Sequence, residues 1–298
     1  IMKNITILVP EGAVLASIAD PRYMFTAANE MPRNSGKKEM FIVKLASLNS
    51  DVTLSEGTAT IHPDSIISDI KKTDLVIIPA LGRDVVKAIE MNKELIPWII
   101  EQYKNGAEIA SLCIGAFLFA STGLLKGKQC STHWLYAAQF RQMFPDVKLA
   151  DDKIVTDQNG LYSSGGATSY WNLLLYLVEK YTDRETAILI SKFFLLDIGK
   201  QNQSSFIIFN GQKDHGDEAV KNAQEYIELN YKDKITVDEL CDLFGVGRRT
   251  FERRFKKATN NTIVEYIQRV KIEAAKKELE QGRKTVNEVM YDVGYTDT

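Results

Sequence analysis

The sequence predicts an α/β sandwich (flavodoxin-like, with a mostly parallel sheet) followed by an all-α tandem helix-turn-helix domain, second unit truncated. Three observations lead to this prediction. Short apolar runs alternate with helical segments over roughly the first two thirds of the 298 residues. From Asp217 onward the chain keeps helical periodicity and loses the strand pattern. An eleven-residue motif occurs twice near the end, at residues 236–246 and 285–295.

Several apolar runs are the expected strands. The run Asp74–Pro79 is almost continuously apolar, which is typical of a strand buried on both faces. Residues 52–61 predict a small hairpin, and Asn159-Gly160 predicts a tight turn between the last two strands. The other expected strands are Lys3–Val9, Met40–Ser47, Ala107–Cys113, a short strand within 129–134, Lys148–Asp157 and Leu161–Ser164.

Helical segments fill the intervals between these strands. Pro21 must lie near a helix start or at a kink, and Pro97 is expected to break the helix that contains it. Alternation of strands and helices indicates a parallel sheet covered on both sides. The predicted helices are residues 14–29, 85–103, one from Ile114, one ending at Met143, 167–180 and 184–196.

The repeated motif begins with the pattern of a capped helix. Its copies read TVDELCDLFGV and TVNEVMYDVGY, and each places Glu three residues after Thr. In such a capping box the Thr hydroxyl and the Glu carboxylate satisfy each other's free backbone amides. A Gly follows about two helical turns later, where the backbone can turn. A short helix, a turn and a second short helix make a helix-turn-helix.

The second helix of the first copy, Arg248–Ala258, is amphipathic. Phe251 and Phe255 share one face, because they are four residues apart. The opposite side is basic, and such a face fits a DNA major groove. The alternative, an ordinary solvated surface helix, is disfavoured by the capped helix before it and by the repeat. We expect base contacts from Arg249, Glu252 and Arg253, and phosphate contacts from Arg248 and Lys256.

The charge of this region supports a partner with phosphates. Residues 246–284 carry 12 Lys/Arg against 5 Asp/Glu, whereas the whole chain has a formal charge of −2. The two TVxE units, the RRTFERRFKKAT helix and the linking RVKIEAAKKEL helix resemble the AraC/XylS family of transcription regulators. The resemblance implies two units that contact adjacent major-groove segments of double-stranded DNA. The sequence stops at GYTDT, where Asp297 resembles the N-cap of a second recognition helix that is absent.

Composition narrows the other possibilities. Apolar runs stay far below the roughly 20 residues of a membrane span. The three cysteines, Cys113, Cys130 and Cys241, are too widely spaced for a zinc motif or a disulfide framework. We therefore expect a cytoplasmic protein with no metal and no cofactor.

Cys113 follows a buried strand and precedes a helix, which is the arrangement of a nucleophile elbow. Helix amides at such a turn can lower the pKa of a thiol or hold an anion. His133 is a candidate partner base, although catalysis would also require a third group to orient it. The alternative is that Cys113 is a buried packing residue and His133 a structural one.

The surrounding segments also resemble a known family. ASLCIGAFLFASTGLLKGKQCSTHW, FTAAN and SGGATSYWNLLLYLVEKY are similar to the ThiJ/PfpI superfamily, and especially to its members fused to an AraC-type module (GlxA-like regulators). The resemblance implies a domain related to class I glutamine amidotransferases, dimeric and used to sense a small molecule. The superfamily's acidic residue on the first helix corresponds to Ser17, which argues against catalysis. The expected ligand pocket comprises Cys113, Ile114, His133, Ser17 and Gly82.

These expectations combine into one domain scheme and one leading hypothesis. Residues 1–208 form a ligand-sensing domain, 209–217 a linker and 218–298 the DNA-binding domain. The chain is then a homodimeric transcription regulator controlled by a small effector, and the resemblance makes nitrogen-containing metabolites plausible. Two alternatives stay open: a cysteine-dependent hydrolase or amidase with a DNA-binding appendage, and a redox sensor based on Cys113 oxidation. The sequence leaves open the effector, the operator, and activation versus repression.

Overall fold

The structure is a computed structural model that describes residues 2–31, 38–54, 57, 59–82, 84–199, 203, 209, 211–213 and 215–295. The chain folds as two compact units, Ile1–Ile207 and Ile208–Thr298. The first unit is α/β and the second is helical, as the sequence predicts.

Eleven strands are found among the described residues of the first unit. In chain order they are β1 Lys3–Leu8, β2 Phe41–Ser47, β3 Val52–Leu54, β4 Ala59–Ile61, β5 Ser65–Ile66, β6 Leu75–Ile78, β7 Glu108–Ser111, β8 Gln129–Cys130, β9 Lys148–Leu149, β10 Val155–Asp157 and β11 Leu161–Ser164. Seven of them form one sheet in the order β10-β11-β7-β6-β1-β2-β5. Every pairing in this sheet is parallel except β10 with β11.

Helices cover both faces of the sheet, and each face has its own apolar core. One core contains Phe25 of the first helix and Leu174 of the sixth, whereas the other contains Ile99 and Phe117. Central strands are therefore apolar on both sides, which explains the nearly continuous run of β6. The helices are α1 Ala16–Glu30, α2 Val85–Met91, α3 Leu95–Lys104, α4 Ala116–Ser121, α5 Ala137–Met143, α6 Tyr170–Tyr181 and α7 Arg184–Phe193.

Two details differ from the sequence-based expectation. The break in the helix predicted over 85–103 lies at residues 92–94, and Pro97 is the third residue of α3, where its missing N–H removes no helical hydrogen bond. The strand predicted over 148–157 is two short strands, because β9 pairs with β8 and only β10 pairs with β11. Asn159 and Gly160 both have positive φ, as the predicted tight turn requires.

The second unit is a bundle around a core that includes Phe251, Phe255 and Tyr266. Its described helices are α8 Glu218–Asn230, α9 Val237–Phe244, α10 Arg248–Thr259, α11 Ile263–Glu280 and α12 Val286–Asp292. Capping boxes begin α9, α11 and α12, so the Thr-x-x-Glu prediction is confirmed at both copies of the repeat.

Candidate functional site

Cys113 lies at a strained turn between β7 and α4. Its φ of 54° is in the left-handed region, which non-glycine residues rarely adopt, and it opens a short 3₁₀ turn, Cys113–Gly115. A side chain at Gly115 would overlap the carbonyl oxygen of Pro79 and lie 2.7 Å from that of Ile78. The turn is therefore as tight as a nucleophile elbow requires, and Gly115 permits the close approach.

The Cys113 thiol is held in its neutral form. The residue is 6% exposed, and this burial raises its pKa to about 11. A hydrogen bond with the Ile114 backbone favours the thiolate but does not compensate for the burial. Of the two influences on this pKa, desolvation is larger than the backbone hydrogen bond.

His133 serves as a helix cap. Its Nδ1 accepts a hydrogen bond of 3.1 Å from the Leu135 amide, at the start of the 3₁₀ turn Trp134–Tyr136. Burial lowers its pKa, which favours the neutral ring. Within the described part of the chain, the ring makes no hydrogen bond to Cys113. The two loops meet through Thr132, whose hydroxyl donates to the Cys113 carbonyl at 3.2 Å.

Ser17 joins two loops at the carboxyl edge of the sheet. It is fully buried on α1, donates to the Val14 carbonyl at 2.7 Å and accepts from the Ala80 amide at 2.9 Å. A carboxylate does stand nearby, three residues further along the helix: Asp20 accepts a 2.6 Å hydrogen bond from the Tyr170 hydroxyl. Sequence reasoning missed Asp20, although its i+3 spacing from Ser17 could have indicated it.

A cavity of about 720 Å³ opens between the loops that follow β1 and β6 and the start of α2. Of the five residues expected to form the pocket, Gly82 lines it, whereas Cys113, Ile114 and Ser17 are buried and His133 belongs to another loop. The lining residues are Glu11, Gly12, Ala13, Val14, Thr53, Gly82, Asp84, Lys87, Ala88 and Met91.

Buried Asn92 fixes the cavity wall. Its side-chain oxygen accepts from the Glu11 amide at 2.8 Å, and its nitrogen donates to the carbonyls of Glu11 and Ala88 at 2.9 and 2.8 Å. Asp84 caps α2 by accepting from the Lys87 amide at 3.1 Å. The cavity thus presents two carboxylates and one ammonium group on a backbone that is held by hydrogen bonds.

The first helix-turn-helix has the predicted local geometry. Thr236 and Glu239 form the capping box of α9, and Gly245 ends that helix with a left-handed φ of 63°. Helix α10 follows after Val246 and Gly247. Phe251 and Phe255 are fully buried, so their face anchors α10 and leaves the opposite face outside.

The four basic side chains of α10 that the sequence predicts to contact DNA fall into two groups. Arg249 and Arg253 are exposed and, among the residues that the structure describes, have no carboxylate partner. Arg248 instead pairs with Asp238 at 2.9 Å and with Glu252 at 3.3 Å. Lys256 lies 3.5 Å from Glu265 and donates to the Asn260 carbonyl at 3.1 Å.

The second copy of the repeat packs against α11. Gly294 has a φ of 80° and lies so close to the Lys232 carbonyl that a side chain there would overlap it. Buried Lys271 donates to the Gly294 carbonyl at 3.0 Å and so holds the end of α12. Asp297, expected to be a helix N-cap, lies outside the described residues.

The described residues contain no group of three or more His, Cys, Asp and Glu residues that could hold a metal ion. None of the helices in the described ranges combines the length and the apolar composition needed to cross a membrane.

These features define a two-domain protein. An α/β unit with a cysteine at a strand-to-helix turn is followed by a helical unit that contains a helix-turn-helix. The chain belongs to the DJ-1/PfpI family, whose profile matches residues 5–180. A helix-turn-helix domain profile matches residues 240–298. Both resemblances derived from the sequence, to the ThiJ/PfpI superfamily and to AraC-type regulators, are thereby confirmed.

Individual relatives match nearly the whole chain or one part of it. The HTH-type transcriptional regulator GbdR of Pseudomonas aeruginosa is 25% identical over 297 residues, which cover 99% of this chain and 79% of that protein. Isonitrile hydratase of Pseudomonas putida is 28% identical over 141 residues, 47% of this chain and 58% of the enzyme. A crystal structure of an AraC family transcriptional regulator from Pseudomonas putida superposes with a TM-score of 0.55 at 18% identity, covering 64% of this chain and 99% of that one. The similarity to this crystal structure shows the fold alone.

Proposed function

We propose that this protein is a sequence-specific, DNA-binding regulator of transcription, controlled by a small molecule that binds in its DJ-1/PfpI domain. One observation carries the DNA-binding part: Arg249 and Arg253 project from α10 into solvent, free of carboxylate partners within the described structure. They follow a capped helix and a left-handed Gly turn, which is the geometry of a recognition helix. Relatives of this architecture are named as transcriptional regulators, which supports the proposal.

The side chains of α10 then have distinct roles. Arg249 and Arg253 donate to guanine edges, and Glu252, held by Arg248, accepts from cytosine. Arg248 and Lys256 contact phosphates, for which each exchanges an exposed intramolecular ion pair for one with the DNA backbone.

The DNA-binding role is tested by selecting a duplex from a random pool and replacing Arg253 by Ala. We expect the affinity for the selected duplex to fall by about 1–3 kcal/mol and the preference at one base position to relax. Lys221→Ala, which removes the same charge from α8, is the matched control. An unchanged base preference in Arg253→Ala would refute the proposed contact between Arg253 and a base.

The effector pocket is the cavity of about 720 Å³ at the carboxyl ends of β1 and β6. Ligands of parallel α/β sheets bind at this edge, and the volume suits a small metabolite. Glu11 and Asp84 favour a ligand with an ammonium group, while Lys87 can pair with a carboxylate. This agrees with the nitrogen-containing metabolite that the family resemblance suggests.

A thermal-shift screen with small amines and amino acids tests this pocket, because a ligand that binds the folded state raises the melting temperature. We expect Asp84→Asn to abolish the shift, since it keeps the cap of α2 and removes the charge. Asp69→Asn, an exposed site that does not line the cavity, is the control. A ligand whose shift survives Asp84→Asn would place the effector elsewhere.

A second candidate function, a cysteine hydrolase or amidase, is favoured by the strained backbone of Cys113. We nevertheless propose a sensor, since burial keeps the thiol neutral and His133 caps a turn. Turnover by the wild-type chain that is lost in Cys113→Ser would establish the enzyme instead. Oxygen added to Cys113 by mild peroxide, with altered DNA affinity, would favour the redox sensor.

The proposal also includes a homodimer and a cytoplasmic location, where the DNA of a bacterial-type regulator is accessible. Light scattering after gel filtration tests the dimer, for which a single species with the mass of one chain would be the contrary result.

A further inference from the structure

The segment expected to be a linker, residues 209–217, is built into the second unit wherever the structure describes it. The Phe209 ring packs edge-on against Tyr266 of α11, with 5.1 Å between ring centroids. Gly211 has a φ of 66°, and a side chain there would overlap the Tyr266 hydroxyl. The backbone therefore passes directly over α11, at a distance that only glycine allows.

Buried Gln224 of α8 holds the same segment by polar contacts. Its nitrogen donates to the Gln212 carbonyl and to the Tyr266 hydroxyl, both at 3.0 Å. Its oxygen lies 2.9 Å from His215 Nε2, while His215 Nδ1 accepts from the Asp217 amide at 3.3 Å. These contacts leave every polar group of Gln224 with a partner.

Asp217, where the segment ends, contacts two helices at once. Its carboxylate caps α8 by accepting from the Val220 amide at 3.2 Å. The same carboxylate accepts two hydrogen bonds from the guanidinium group of Arg254 of α10 in a bidentate arrangement. Nε donates to Oδ2 at 2.8 Å and Nη2 donates to Oδ1 at 2.5 Å. The hydrogen bonds from Arg254 hold the pKa of Asp217 below its usual range. A paired guanidinium and carboxylate fix direction as well as distance, which a lysine could not do.

Arg254 thus differs from its neighbour Arg253. It lies one residue further along the helix, its guanidinium group is bound by Asp217, and its charge is neutralised within the protein. It ties the recognition helix to the N-terminus of α8 and, through Asp217, to the segment that enters this unit. Base contacts tolerate displacements of only about 0.5 Å, so the orientation of α10 matters for specificity.

We propose that Arg254 is a positioning residue, which sets the orientation of the recognition helix through its ion pair with Asp217, so that the entering segment 209–217 controls how α10 meets DNA. The inference rests on the proposed function, because it assumes that α10 reads bases.

The test replaces Asp217 by Asn and Glu218 by Gln in the full chain. Asn also caps helices well, so α8 is retained while the ion pair loses its charge. Each variant removes one negative charge at adjacent positions, and electrostatics alone therefore predicts equal or tighter DNA binding for both. The positioning role predicts the opposite for Asp217→Asn only. Far-ultraviolet circular dichroism checks that both variants keep their helices.

The readout is the ratio of affinities for a duplex selected with the wild-type chain and for a scrambled duplex. We expect Asp217→Asn to lower this ratio about tenfold, with Glu218→Gln unchanged, and Arg254→Lys to lower it in the same direction despite keeping its charge. Equal ratios for Asp217→Asn and Glu218→Gln would overturn the positioning role and leave the DNA-reading function intact. A wild-type chain that enriches no sequence from the pool would overturn the proposed function, and the positioning role with it.

Discussion

Replacing Ser17 by alanine removes a hydroxyl that joins two loops at the edge of the sheet. The hydroxyl accepts from the Ala80 amide at 2.9 Å and donates to the Val14 carbonyl at 2.7 Å. The Val14 carbonyl keeps a partner in the variant, because the Ser17 amide also donates to it at 3.0 Å. The Ala80 amide keeps none among the described residues, and Ala80 is 5% exposed.

The expected loss of stability comes from the Ala80 amide, which is left without an acceptor. A buried amide without an acceptor costs about 1–3 kcal/mol, so we expect Ser17→Ala to lower the free energy of unfolding of the first unit by about 2 kcal/mol. Because Val14 lines the cavity, the loosened loop is also expected to weaken effector binding.

Tryptophan fluorescence in urea measures this effect selectively. The three tryptophans, Trp98, Trp134 and Trp171, all belong to the first unit, so their signal reports its unfolding. Ser68→Ala, an exposed serine of the same unit, is the control and should stay within about 0.5 kcal/mol of wild type. An equally small change in Ser17→Ala would refute the assignment of Ser17 as the bridge between the loops.

Four further predictions concern the elbow and the second unit. Gly115→Ala should destabilise the first unit by about 1–3 kcal/mol, because the new methyl group meets the Pro79 carbonyl; fluorescence in urea would detect it, and a neutral result would mean that the turn can relax. Phe255→Ala should lower the stability of the second unit by about 3–5 kcal/mol, seen as earlier loss of helical circular dichroism, and an unshifted transition would contradict its core position. Cys113 should react with iodoacetamide about 100-fold more slowly than a free thiol, since its pKa is raised from 9.0 to about 11; rapid modification by peptide mass spectrometry would contradict the neutral thiol. Because the pKa of this thiol is higher in the folded state, the free energy of unfolding should fall by up to about 3 kcal/mol as the pH rises from 9 toward 11. Cys113→Ala should reduce this loss, and a variant with the same pH profile as the wild type would contradict the prediction.

Local patterns predicted the helix-turn-helix well. A capping box involves residues three positions apart, and a left-handed turn requires one glycine, so Thr236, Glu239 and Gly245 are sufficient evidence in the sequence itself. The same holds for the buried stripe of α10, whose period of four follows from helical geometry. The tight turn at Asn159-Gly160 was likewise predicted from two adjacent residues.

The sequence placed the effector pocket at Cys113 from the strand-to-helix pattern, and this stays a prediction. The cavity that we propose for the effector is lined by Glu11, Asp84 and their neighbours, which come from separate loops. Asn92 fixes Glu11 across 81 positions of the chain, a contact that carries no local pattern. The burial that raises the pKa of Cys113 is likewise produced by packing from distant segments.

What the amino-acid sequence determined by itself is the two fold classes, the family and the helix-turn-helix motif, because each is carried by local patterns of residues. Only the tertiary structure decided which side chains are free to act. It left Arg249 and Arg253 without carboxylate partners in the described chain, engaged Arg254 with an aspartate 37 positions away, and enclosed the cysteine of the elbow. Charge pairing and desolvation depend on distances in space, and spacing along the chain does not fix them.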